Sequence, residues 1–221
     1  MSHSTGKALC TFALLFFIGF LPVHGFAQQR SPVDREGLGE THYARMHALL
    51  EKTFLKIDVV RVWIEFDAAT ARAIAQEASG KAYSEELEEN IARRAYLAQN
   101  AVVRVRFERD ASLYAFLDAV RKNLRRALKA DMIDLDTYRR VSQRLSQWFG
   151  FLRERGIREG DWLYYRVRPD SLRTVFVAND GTKLLDHHSD GEEPRLALLG
   201  GYFAPGSDLR EPLIHSLWES D

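Results

Sequence analysis

The chain has 221 residues, with 31 Lys and Arg against 31 Asp and Glu, and 46% of it is hydrophobic. That length supports one domain with a full core and makes two tight, while an even charge balance predicts neither a nucleic-acid nor a polyanionic partner. A single cysteine excludes a disulfide framework and a cysteine-ligated metal.

The first residues have the layout of a secretory signal peptide. Lys7 supplies a positive start, residues 8–21 form an apolar run too short to span a bilayer, and Gly25-Phe26-Ala27 places small residues around a cleavage site. Cleavage is predicted after Ala27, with export to the periplasm or beyond. Cys10 leaves with the signal, so the mature chain has no thiol, and no cysteine follows the cut to accept a lipid. The predicted organisation is a signal peptide over residues 1–27, a flexible leader rich in Gly, Pro and charge over 28–40, and one domain over 41–221.

Residues 43–52 fit either a helical turn or a strand. Residues 54–66, FLKIDVVRVWIEF, alternate as a strand whose apolar face changes phase near Val59-Val60, which predicts a bulge there. Asp67 is placed to cap a short helix stopped by Gly80, and residues 83–99 carry Leu87, Ile91, Ala95 and Ala98 at helical spacing. Residues 101–108 alternate Val103, Val105 and Phe107 against Arg104 and Arg106, as a half-buried strand does. Two amphipathic helices follow. The first, capped by Asp110 or Ser112, aligns Leu113, Phe116, Leu117, Val120, Leu124 and Leu128; the second aligns Tyr138, Val141, Leu145 and Trp148 and ends at Gly156. Residues 161–168, 172–177 and 182–185 then predict a three-stranded meander, turning at Pro169-Asp170-Ser171 and Asn179-Asp180-Gly181. Residues 193–199 look helical, Gly200-Gly201 is expected to break that helix, and a last helical piece runs over 207–217. Clustered strands with segregated helices predict an α+β fold, a mostly antiparallel sheet covered by helices.

Between meander and terminal helices stands DHHSDG, residues 186–191, expected as a solvated loop. Adjacent histidines on a strand point to opposite faces and chelate poorly. The string resembles the DHH phosphoesterases over three residues, but the paired-aspartate motifs their two metals need are missing, so no metal is expected. No Gly-x-Ser-x-Gly elbow or Gly-rich phosphate loop is present, and no cofactor is predicted. The pairs Arg93-Arg94, Arg121-Lys122, Arg125-Arg126 and Arg139-Arg140 mark basic helix faces, ordinarily solvated, and no nucleic-acid partner is predicted.

The succession FLKIDVVRVWIEFD, VVRVRFERDASLYAFLDAVRKNL, GDWLYYRV, TVFVANDGTKLL and LALLGGYFAPGSDLREPLI resembles the chalcone isomerase-like family, in its exported bacterial branch. The resemblance implies an open-faced β-sandwich with a ligand cleft between a large antiparallel sheet and a helical layer. Plant enzymes of that family close a chalcone to a flavanone without cofactor; other members bind fatty acids. Their shared anchor is an arginine near the first long strand and a tyrosine at the start of the helix after the next strand. Tyr114 matches the tyrosine in place. Arg45 lies near the arginine, but its spacing is off by one residue, and one residue on a strand exchanges the faces. Asp58 stands where a threonine is expected, and a carboxylate there would repel a phenolate. The resemblance therefore implies a non-catalytic binder of an apolar or carboxylate small molecule, such as a fatty acid, with Tyr114 and Arg45 as ligand-binding residues. A cofactor-free intramolecular lyase (isomerase) and a structural or partner-binding envelope protein are the alternatives.

Overall fold

The computed structural model describes residues 31–52 and 57–219; the expected signal peptide, residues 1–27, and Phe54-Leu55 of the predicted strand lie outside them. Among the described residues six strands form one sheet in chain order: β1 (Arg45–Lys52), β2 (Ile57–Phe66), β3 (Ala101–Phe107), β4 (Trp162–Arg168), β5 (Ser171–Val177) and β6 (Lys183–Asp190). Every neighbouring pair is antiparallel. Leu50 pairs with Val60 and Glu51 with Asp58, so Val59 is the extra residue of a bulge where the phase change predicts one.

Helices α1 (Ala68–Ala78) and α2 (Glu85–Tyr96) connect β2 to β3, and α3 (Leu113–Lys129), α4 (Leu135–Trp148) and the single turn α5 (Leu152–Arg155) connect β3 to β4. After β6 come α6 (Glu193–Phe203) and α7 (Arg210–His215). Side chains start these helices by accepting orphan amides: Asp67 from Thr70 N at 2.8 Å, Ser112 from Ala115 N at 3.1 Å and Asp134 from Thr137 N at 2.7 Å. None of the described helices is long and apolar enough to cross a membrane.

Strand alternation sorts the sheet into two faces. Met46, Val62, Ile64, Val103, Val105, Leu163, Val167 and Phe176 point into one core with the apolar faces of α1 to α4, α6 and α7. The other face carries Val102, Tyr164, Val175 and Val177, against which Val33 packs. Residues 31–39 lie along this outer face. Asp34 binds Arg166 and Arg168 at 3.1 Å each, Arg35 binds Glu65, Leu38 bridges Asp67, and Gly39 N donates to Phe66 O at 2.8 Å. One buried valine and these ion pairs hold the segment against the sheet.

Two expectations are corrected. DHHSDG is not a loop, because β6 continues to Asp190 and its register with β5 runs from Lys183 through Asp190. Gly200-Gly201 does not break α6, which runs on to Phe203. A Cβ on Gly200 would lie 3.1 Å from Ala127 Cβ of α3, so the glycine serves close helix packing that outweighs its weak helix propensity.

Candidate functional site

The described residues enclose a cavity of about 140 Å³ between the β4–β6 end of the sheet and the helices above it. Leu172 and Leu185 share its floor with Tyr165, Thr174, His187 and Ser189. Val120, Asn123 and Leu124 of α3 and Val141, Leu145 and Trp148 of α4 form the walls, with Phe149 beyond; Ala197, Leu198, Gly201 and Tyr202 of α6 form the roof. The aromatic cluster of Phe107, Phe116, Phe149, Phe151 and Phe176, with centroid spacings of 4.9 to 6.3 Å, fills the core beside it.

Sheet register lays a polar line across this floor. Tyr165 pairs with Thr174 and Thr174 with His187, so three polar side chains step inward from the edge strand at about 4.8 Å per strand. At the edge, His187 Nε2 lies 3.1 Å from Ser189 Oγ, and the ring packs against Trp148 at 5.2 Å between centroids. Burial, then His188 and Arg144, hold the His187 pKa below the ordinary histidine value, so the imidazole is neutral near pH 7. Deeper in, burial drives the Tyr165 and Tyr202 phenols up, and Tyr202 lies near enough to add to the shift of Tyr165. Both therefore remain protonated donors at physiological pH. Both side chains are half-buried at the cavity wall, whereas the Tyr96 hydroxyl outside it donates to Met132 O. None of the described lining side chains is Arg, Lys, Asp or Glu.

The residues singled out in the sequence fall elsewhere. Tyr114 is 80% exposed on the solvent side of α3, because the core face of that helix is taken by Leu117, Leu124 and Ala127. Arg45 lies on the outer face of β1, beside Trp63, Arg104 and His47, while Met46, one residue along, takes the inward position. The two do not meet at a common cavity, and neither lines the cleft. What supplies the cleft was carried by Tyr165, Thr174 and His187, whose alignment follows from the two hairpins, and by Tyr202 in a helix expected to end before it. DHHSDG contributes through alternation: His187 and Ser189 face the cleft, while Asp186 turns out to bind Arg173 at 2.8 Å and Lys183 at 2.7 Å. No group of His, Cys, Asp and Glu suited to a metal exists among the described residues.

No family profile matches the chain, and no curated protein matches it in sequence. Among solved structures it is similar to a fatty-acid binding protein of Arabidopsis thaliana, with a TM-score of 0.51 at 13% identity over 80% of this chain and 91% of the other. The shared architecture is the chalcone isomerase-like one, an open antiparallel sheet under a layer of helices.

Proposed function

We propose that this chain is an exported, non-catalytic binder of an apolar small molecule, held in the cleft between β4–β6 and helices α3, α4 and α6. The cleft itself carries the reading: an apolar slot with a few polar groups converging from one side is the usual form of a small-molecule site. A cavity of about 150 Å³ lined by aliphatic and aromatic groups accepts benzene, so this one takes a ring or a short acyl segment. A longer ligand such as a fatty acid extends past Trp148 and β6. The fatty-acid binding of the Arabidopsis protein supports an acyl or comparable ligand. Catalysis is the weaker reading. His187 and Ser189 sit 3.1 Å apart, but no carboxylate among the described lining residues orients the imidazole as a general base requires.

Native mass spectrometry of the protein from its host, joined to titration with an environment-sensitive apolar dye, tests the proposal. A bound small molecule and saturable dye binding are expected, with binding lost in Leu198→Trp, which fills the roof. Folded protein that carries nothing and binds neither dye nor fatty acids would overturn it.

A further inference from the structure

The polarity of the same cleft dictates what part of a ligand enters it, an inference that rests on the reading above. Its lining supplies donors and acceptors but no formal charge: Thr174 and Tyr165 from the sheet, Tyr202 from α6 and Asn123 from α3. A carboxylate placed there would leave water without gaining a cation, the costliest kind of burial. A tyrosine hydroxyl at the wall of an apolar cavity ordinarily finds a hydrogen-bond partner. Tyr165 and Tyr202 both line this cavity, half-buried, so a ligand that enters it meets two phenol donors.

We infer that the inner end of the cleft holds an uncharged, oxygen-bearing apolar group, a ketone or an alcohol of about ring size, with the Tyr165 and Tyr202 hydroxyls as its hydrogen-bond partners. A free carboxylate is excluded from that end. Among the described residues the arginines near the cleft stand outside its lining: Arg144 of α4 opposes protonation of His187, and Arg126 of α3 donates to Asn123 Oδ1 at 2.9 Å. An anionic head therefore stays at the mouth with its tail inside, or enters as the neutral acid.

Three probes of matched size separate the contributions: acetophenone, benzoate and ethylbenzene, titrated by calorimetry or NMR into the full mature chain at pH 6 and pH 8. Acetophenone is expected to bind with the same affinity at both. Benzoate is expected to bind at least about tenfold more weakly at pH 8, and to gain about tenfold per unit as pH falls if it enters protonated. His187 is the histidine of the cleft lining, so His187→Gln is measured alongside and is expected to keep the benzoate slope. Tyr165→Phe and Tyr202→Phe, each checked for an unchanged melting profile, are expected to weaken acetophenone about five- to tenfold, the loss of one neutral hydrogen bond, and to leave ethylbenzene unaffected. Benzoate binding as tightly as acetophenone at pH 8, or acetophenone indifferent to the double Phe variant, would overturn the inference while the binder reading stands. Failure of all three probes would overturn both.

Discussion

Asp161 has no exposed surface, yet it is ionised. Burial pushes its carboxyl up, but the two-pronged Arg155 guanidinium at 2.6 and 2.8 Å and the amides of Arg158 and Asn179 at 2.8 and 2.9 Å outweigh that and hold its pKa below the usual carboxylate value. The group ties the turn before β4 to the start of the Asn179 hairpin, and so sets the strand that bears Tyr165. Removing the charge leaves Arg155 and two amides without their acceptor, so Asp161→Asn is expected to cost about 3 kcal/mol in urea unfolding. A depressed carboxylate pKa contributes stability that is present above the unfolded value near 3.9 and is lost as pH falls through the folded value. The wild-type stability is therefore expected to drop between about pH 5 and 2, with a shallower drop in Asp161→Asn.

Two glycines side by side in α6 do different work. A Cβ at Gly200 meets Ala127 Cβ at 3.1 Å, tighter than ordinary contact, whereas at Gly201 it meets Asn123 Cβ at 3.6 Å, an ordinary contact, and Gly201 also lines the cleft. Gly200→Ala is expected to destabilise the fold by forcing α6 from α3, while Gly201→Ala keeps or gains stability, up to about 1 kcal/mol from helix propensity, and narrows the cleft. Thermal melts of both, with dye titration of the second, check the opposite signs. Equal destabilisation would show that α6 tolerates no added volume on this face. These glycines also explain how far the elements were legible. Alternation and helical spacing placed β2 through β5 and α1 through α4, because burial of one face imposes its period on the residues. At Gly200-Gly201 and DHHSDG the local pattern signals a break and a loop, and tertiary contacts prevail: close approach of α3 in one case, pairing with β5 in the other. Missing the second half of β6 and the last turn of α6 hid His187 and Tyr202 together. Tyr114 and Arg45 were singled out by position along the chain, and their exposure follows from which face each element presents.

Among the described residues the sheet is covered on one side by helices and on the other by residues 31–39. Over the outer face, Arg166 is 2% exposed and is held by Asp34 at 3.1 Å, Glu36 O at 2.7 Å, Val167 O at 2.6 Å and Ala101 O at 3.3 Å. Two of those four acceptors come from residues 31–39, so the segment completes the solvation of a buried cation on the central strand β4. The same strand carries Tyr165 on its other face, one residue away. Asp34 is half exposed, which lessens its electrostatic contribution, and its loss leaves Arg166 with three carbonyl acceptors. Asp34→Ala is accordingly expected to cost about 1 kcal/mol, whereas a chain starting after Gly39 loses Glu36 O and Val33 as well and is expected to lose several. Limited proteolysis checks the mechanism. Cleavage within residues 31–39 is expected to accelerate in Asp34→Ala while the helical layer stays protected, and dye binding in the cleft is expected to persist until the sheet itself unfolds. Loss of dye binding in Asp34→Ala at full helical content would mean instead that the outer segment controls the cleft through β4.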